Sequence, residues 1–174
     1  FGFPAPIILA LLMNEIRCKP FLKVTQNITY LPHFISLVVV CGLIKEFTKS
    51  DGLIGDIVAM LGGTPVSLLN YAENFVPVYV VSNIWQEVGW GTIIYLAALT
   101  SIDHQLYEAA EIDGAGKFGQ MLHVTLPGIV PTIIIMLTMR MGQMLNVGYE
   151  KIILLYNDAV MSRADVISTY VYRK

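Results

Sequence analysis

Two ionisable side chains, those of Glu87 and Arg140, lie near the middle of strongly apolar segments of this 174-residue chain. An ionised group inside a lipid bilayer costs several kcal/mol unless it faces protein, water or a partner charge. Residues that can form hydrogen bonds or stack on a ligand share helical faces with these two: Asn83, Gln86 and Trp90 with Glu87, and Gln143 and Asn146 with Arg140. Such groups could line a polar path for a hydrophilic solute. They could equally join neighbouring helices, with Glu87 and Arg140 as an ion pair, and Asn83 and Gln86 taken singly fit this second role better.

The composition is typical of a membrane protein. Charged residues make up 14% of the chain, whereas soluble domains carry about 25%. Residues 28–47, 75–100 and 128–148 are each long enough to cross the roughly 30 Å hydrocarbon layer as a helix. Residues 1–14 resemble the second half of another such helix, so we expect an internal piece of a longer protein with three full spans and one partial span. The predicted fold class is therefore all-α, a polytopic transmembrane helical bundle that forms a single domain over residues 1–174.

One connection between the predicted spans, residues 101–127, has the features of a small folded element. Asp103 can cap a helix that runs from His104 to about Ile112, because an aspartate in this position accepts a hydrogen bond from a free backbone N–H. Gly114 can then end the helix in the left-handed conformation, which glycine adopts without strain. The sequence therefore predicts a short helix followed by a sharp bend.

The surface of this connection is small and polar. Residues 108–117 hold four charged side chains, three of them acidic, and two alanines lie on the first helix. Residues 117–123 can form a second short turn, and Leu126 and Pro127 can begin the next span. A compact bent knob of this kind suits insertion into a groove on a partner protein. A solvated loop between two spans is the alternative that the residues alone leave open.

Several classes of function lack the residues that they require. The three histidines, His33, His104 and His123, show no metal-ligand spacing. The sequence LGGTP at residues 61–65 is not followed by Lys and Ser or Thr, so it is not a phosphate-binding loop. A net charge of −2 without a basic face argues against a nucleic-acid partner. We therefore expect no metal, no cofactor and no ATP hydrolysis by this chain itself.

The residues of the connection also match a fixed pattern of offsets. The pattern reads EAA, three residues, glycine, nine residues and then V-x-L-P, and it consists of Glu108, Ala109, Ala110, Gly114, Val124, Leu126 and Pro127. It resembles the signature loop of permease subunits in binding-protein-dependent ABC importers. The sequence IDGA at residues 112–115 is similar to the common form of that loop. Val124 departs from the usual isoleucine, and the second half of the loop is less basic than is common in the family.

The resemblance implies the MetI-like permease fold, with residues 101–127 on the cytoplasmic side of the membrane. There the loop would dock in a cleft of a separate ATPase subunit. It would transmit movement between that subunit, which closes on ATP, and the membrane spans. The residues to which the resemblance assigns this coupling are Glu108, Ala109, Ala110, Asp113, Gly114, Leu126 and Pro127.

Four further stretches resemble the carbohydrate-uptake branch of the family: YLPHFIS (30–36), WQEVGWGTIIYLAALTSID (85–103), NVGYEKIILLYN (146–157) and ADVISTYVYR (164–173). The resemblance implies a multi-pass transport subunit, not an enzyme, in the cytoplasmic membrane of a bacterium. Its partners would be ABC ATPase subunits, a second permease subunit, a periplasmic or extracellular substrate-binding protein, membrane lipid and an oligosaccharide. A polar path would then hydrogen-bond sugar hydroxyls and stack a tryptophan on a sugar ring, using Asn83, Glu87, Trp90, Arg140, Gln143 and Asn146.

The residues also permit other interpretations. A permease of the same fold could carry an amino acid or a peptide. A secondary transporter could use Glu87 as a proton site, and it would be expected to contain an inverted repeat, which this sequence does not show. An intramembrane enzyme is disfavoured, since no paired carboxylates, HExxH motif or Ser–Lys arrangement occurs in a predicted span.

Overall fold

The computed structural model describes residues 2–143, 149–157 and 159–173. Every regular element in these ranges is helical, which confirms the all-α class. The helices are α1 (Pro4–Asn14), α2 (Lys19–Phe34), α3 (Leu37–Phe47), α4 (Leu53–Met60), α5 (Ala72–Thr100), α6 (His104–Ile112), α7 (Lys117–Gln120), α8 (Leu126–Gln143), α9 (Tyr149–Leu155), α10 (Met161–Ala164) and α11 (Ile167–Arg173). A 3₁₀ turn at Leu68–Asn70 precedes α5, and a π-helical turn at Met121–Thr125 joins α7 to α8.

The chain forms two compact units. Unit one contains Phe1–Leu31 and Glu87–Leu145, and unit two contains Pro32–Gln86 and Asn146–Lys174. The expectation that residues 1–174 act as a single permease domain stays a prediction.

The core of unit one joins α1, the second half of α5 and α8. Its buried residues are Ala10, Tyr95, Leu99 and Ile129. Elsewhere in this unit α5 passes very close to α2, because a Cβ at Gly89 would meet the backbone carbonyl of Thr29. Small residues permit such close approach between membrane helices. The packing of unit one therefore depends on the missing side chain at Gly89.

The core of unit two joins α3 to α9 and to the segments around them. Its buried residues are Val40, Cys41, Ile44, Leu69, Phe75, Ile152, Leu155, Val160 and Ala164. Asn157 connects two of these segments, since its Nδ2 donates a hydrogen bond to the Leu69 carbonyl at 2.9 Å. Its Oδ1 accepts a hydrogen bond from the Val160 N–H at 3.0 Å. One asparagine thus fixes the chain after α9 against the turn that precedes α5.

The prediction of one continuous helix over residues 28–47 is wrong. The chain breaks between α2 and α3, and Ser36 caps α3 by accepting a hydrogen bond from the Val39 N–H at 3.4 Å. Pro32 weakens α2 just before the break, because proline lacks the N–H that would donate to the carbonyl four residues earlier.

The second predicted span, residues 75–100, is confirmed as helical and lies within α5. The third starts earlier than predicted, because α7, the π turn and α8 form one helical run, Lys117–Gln143, and residues 144–148 lie outside the described residues. Among the described helices this run alone is long and apolar enough to cross a membrane by itself, and α2 with α3 adds a second if the pair counts as one broken span. Within the apolar part of Lys117–Gln143 only 11% is buried, whereas the core helix of a soluble protein is mostly buried.

Candidate functional site

The connection at residues 101–127, here termed the bent element, begins with the predicted short helix. α6 runs from His104 to Ile112, and the Asp103 Oδ1 accepts a hydrogen bond from the Gln105 N–H at 3.0 Å. The backbone of Asp103 is extended (φ −63°, ψ 127°), as expected of a residue that caps a helix without belonging to it. The predicted start and end of this helix are confirmed.

Gly114 ends α6 in the left-handed conformation, with φ at +78°. Its N–H donates to the Glu111 carbonyl at 3.0 Å, and the Ala115 N–H donates to the Ala110 carbonyl at 2.9 Å. These paired bonds form a Schellman motif, which satisfies the last carbonyls of the helix and turns the chain away from its axis. A Cβ at Gly114 would meet no atom within 4 Å. The need for glycine here is therefore conformational and not steric.

The second half of the bent element differs from the prediction. Instead of forming a separate turn that ends at His123, α7 continues through the π turn into α8. The Leu126 N–H bonds to the Met121 carbonyl five residues earlier, as in a π helix. This wider turn lies immediately before Pro127, whose ring would clash with the carbonyl four residues earlier in a regular α-helix. The bent element therefore joins the span without a break.

A chain of hydrogen bonds connects α6 to the π turn. The Tyr107 hydroxyl donates to Thr125 Oγ1 at 3.0 Å, and the Thr125 hydroxyl donates to the Gln120 carbonyl at 3.3 Å. The Gln120 Nε2 donates in turn to the Ala115 carbonyl at 3.3 Å. Thr125 is 1% exposed, so its bond to the Gln120 carbonyl is buried, while the bonds from Tyr107 and from the Gln120 side chain are partly buried. These hydrogen bonds were not predicted from the sequence, because Tyr107 and Thr125 are 18 residues apart and meet only through the bend.

The outer surface of the bent element carries both polar and apolar side chains. Of the seven residues assigned to coupling, Glu108, Ala109, Asp113, Gly114 and Pro127 are exposed, and Ala110 and Leu126 are half-buried. Ile112 is 86% exposed and Phe118 is 73% exposed, one before and one after the glycine bend. Exposed apolar groups of this size suit burial against a partner. These two residues were not predicted as part of the site, although an isoleucine and a phenylalanine on either side of a predicted bend were a signal in the sequence.

A polar cavity of about 500 Å³ lies beside the bent element, within unit one. Its walls come from the end of α1, the end of α5 and the bent element: Asn14, Glu15, Arg17, Leu99, Thr100, Ile102, His104, Tyr107, Glu108, Glu111, Lys117 and Gln120. The Nδ1 of His104 lies 3.6 Å from Glu108 Oε1, and both side chains are exposed. The charged groups next to the bend are therefore accessible to solvent or to a partner.

The residues assigned to a polar path lie on α5 and α8. Asn83 is half-buried in unit two, whereas Glu87 and Trp90 are exposed on the part of α5 that belongs to unit one. Arg140 and Gln143 are exposed near the end of α8. Asn146 lies outside the described residues. The polar path and the Glu87–Arg140 ion pair both stay predictions.

A buried lysine in unit two was not singled out from the sequence. Lys151 on α9 is 4% exposed, its Nζ donates a hydrogen bond to Gln86 Oε1 at 3.3 Å, and it lies 5.8 Å from the centroid of the Tyr79 ring. The favoured interpretation of Gln86, as a residue that joins helices, is confirmed. The sequence did contain a signal for Lys151, because it is the one basic residue in the largely apolar stretch YEKIILL.

The class of this protein follows from its sequence family. The sequence model of one family, the binding-protein-dependent transport system inner membrane component, matches residues 2–148. Because this match covers most of the chain, the protein belongs to that family.

Several known proteins are similar to this chain over nearly its whole length. Protein LplB of Bacillus subtilis (strain 168) is 46% identical over 173 residues, which cover 99% of this chain and 54% of LplB. The polygalacturonan/rhamnogalacturonan transport system permease protein YteP of the same organism is 46% identical over 171 residues, covering 98% of this chain and 53% of YteP. The chain thus spans about half the length of these relatives.

A solved structure is also similar to this chain. It is the crystal structure of a bacterial ABC transporter involved in the import of the acidic polysaccharide alginate. The TM-score is 0.95 and the sequence identity 49%, with coverage of 99% of this chain and 61% of that chain. The helical arrangement described above is therefore also found in a transporter chain that was solved by crystallography.

Proposed function

We propose that the protein is a transmembrane permease subunit of a bacterial ABC importer, and that the bent element couples it to a separate ATPase. The observation that carries this proposal is the geometry of residues 103–127 in a member of this family. A capped helix, a glycine bend and a short helix lead directly into a span. The exposed side chains of Ile112 and Phe118, together with the acidic residues around them, provide a surface for an ATPase cleft.

The continuity of the helical run Lys117–Gln143 supports a mechanical role for this element. Because α7 passes into α8 without a break, movement of the docked element would reach the span. In this proposal the bent element faces the cytoplasm, and ATPase subunits bind it there. A second permease subunit completes the central path, and a substrate-binding protein delivers the solute from outside. ATP binding and hydrolysis by the partner then drive the alternation between the two open states.

The proposed solute is an oligosaccharide. The relatives named for polygalacturonan, rhamnogalacturonan and alginate support this substrate class. The residues proposed to contact it are Asn83, Glu87, Trp90, Arg140, Gln143 and Asn146. Amide and charged groups suit hydrogen bonding to sugar hydroxyls, and the exposed ring of Trp90 suits stacking against a sugar face.

Purification of the tagged full-length protein tests the assembly. The protein is extracted from its native host in a mild detergent, and the bound proteins are identified by mass spectrometry. We expect a stoichiometric ATPase and a second permease subunit. A lone, stable homo-oligomer would contradict the proposal.

Uptake by the reconstituted complex tests the solute and the energy source. Proteoliposomes are given the binding protein and a panel of oligogalacturonates, alginate oligosaccharides, arabino-oligosaccharides and a dipeptide. We expect ATP-dependent uptake of at least one oligosaccharide and no uptake of the dipeptide. Uptake that stops when the proton gradient is collapsed, with ATP held constant, would favour a secondary transporter with Glu87 as its proton site.

A further inference from the structure

We propose that the hydrogen bond between Tyr107 and Thr125 makes the bent element and the start of α8 move as one rigid piece, and that Tyr107 is a positioning residue for coupling. This inference rests on the proposed function, because it assigns a role within the coupling of an ATPase to the span. Neither residue belongs to the set to which the sequence pattern assigns coupling.

The π turn is one weak point of the helical run, and Pro131 inside α8 is another. π-helical turns are rare and occur mostly as single turns, because their geometry is less favourable than that of the α-helix. Pro127 comes two residues after the turn and removes one more backbone donor from the run. A run that bent at this turn would absorb the movement of a docked element and would not pass it to the span.

The hydroxyl groups brace the π turn at both ends. Thr125, the last residue of the turn, accepts a hydrogen bond from Tyr107 and donates one to the carbonyl of Gln120, the residue immediately before the turn. The Gln120 side chain also donates a hydrogen bond to the carbonyl of Ala115, just after the glycine bend. The bonds therefore connect α6, the bend and both ends of the π turn, and they are buried at Thr125.

Loss of the Tyr107 hydroxyl is expected to leave the fold intact. Tyr107 is half-buried and lines the polar cavity of unit one, so water can reach the space that the hydroxyl leaves. The ring of the phenylalanine variant fills the same volume. The backbone bonds of the Schellman motif and the Asp103 cap do not involve this side chain. A coupling defect in Y107F can thus be separated from misfolding.

Hydrogen exchange in the full-length complex tests the brace directly. In Y107F we expect the amides of residues 121–126 to exchange roughly five- to tenfold faster, as for the loss of one partly buried hydrogen bond. The amides of α6 should exchange at the wild-type rate. Y71F, at an exposed tyrosine outside the bent element, is the matched control and should change neither segment. Unchanged exchange over residues 121–126 in Y107F would overturn the inference.

The number of sugar molecules imported per ATP hydrolysed tests the role in coupling. The probe is the oligosaccharide of the panel above that the wild-type complex imports fastest. We expect Y107F to lower the ratio about threefold with unchanged subunit composition, a size typical of substitutions within a coupling network. T125V removes this bond and also the bond from Thr125 to the Gln120 carbonyl, so it should lower the ratio at least as much. T125S keeps the hydroxyl and should retain the wild-type ratio.

The double variant separates this bond from unrelated effects. If Tyr107 and Thr125 act through one contact, Y107F with T125V should couple no worse than the poorer single variant. Additive losses, or a wild-type ratio in Y107F, would overturn the inference and leave the proposed function intact. A wild-type complex that neither retains an ATPase nor imports sugar would overturn both.

Discussion

The Lys151 ammonium donates a hydrogen bond to the Gln86 side-chain carbonyl across 65 residues of sequence, and both side chains are buried. A buried ammonium costs free energy unless nearby groups compensate its charge. The Gln86 oxygen and the Tyr79 ring, 5.8 Å away, both contribute to this compensation. The contact therefore holds α9 against α5 within unit two.

Replacement of Lys151 by methionine is expected to lower the stability of the full-length protein. The K151M variant leaves the buried Gln86 oxygen without this donor, which costs about 1–3 kcal/mol. Thermal unfolding in detergent measures the loss. The further change Gln86→Leu should recover part of the lost stability, because the Gln86 oxygen that K151M leaves without its donor is then absent as well. Wild-type stability with reduced sugar uptake in K151M would instead place Lys151 on the solute path.

Replacement of Gly114 by valine is expected to uncouple ATP hydrolysis from uptake. A side chain in the left-handed conformation costs about 1–2 kcal/mol, and a β-branched residue is among the least tolerated there. Gly116 offers a matched control, since a Cβ at this position also meets open space but φ is −69°. G116V should therefore import more sugar per ATP hydrolysed than G114V. Wild-type sugar import per ATP in G114V would argue strongly against a coupling role for the bend.

Replacement of Gly89 by alanine is expected to separate α5 from α2 in unit one. The new methyl group would meet the backbone of Thr29, which cannot rotate away as a side chain can. Such overpacking costs typically about 1–3 kcal/mol. Thermal unfolding is compared with that of G42A on α3, where a Cβ meets no atom within 4 Å. Equal stability of the two variants would show that α5 and α2 are not held at this distance by the glycine.

Replacement of Gln143 by alanine is expected to slow oligosaccharide uptake while the subunits stay assembled. Loss of one hydrogen bond to a sugar hydroxyl corresponds to a decrease in the uptake rate of roughly two- to tenfold. Uptake is measured in proteoliposomes, with subunit composition checked on the same preparation. M141L, at an exposed apolar residue of the same helix, is the control. Wild-type uptake in Q143A would remove this residue from the proposed path.

The sequence by itself determined those features of the bent element that depend on close neighbours along the chain. A cap such as Asp103 needs only the N–H two residues later, and the glycine bend needs only the carbonyls of the preceding turn. The fixed residue spacing around Glu108 and Gly114 indicated the family for the same reason, because this spacing reflects a fold formed by neighbouring residues. The apolar composition likewise indicated membrane helices, although not their breaks.

The tertiary structure alone decided which distant groups meet. Tyr107 reaches Thr125 only because the bend returns the chain, and Lys151 reaches Gln86 only because α9 packs on α5. The break before α3 and the continuous run through Pro127 were equally beyond local rules, since proline ends a helix in one setting and is accommodated by a wider turn in another. Side-chain periodicity predicts which face a residue occupies, but packing decides what that face contacts.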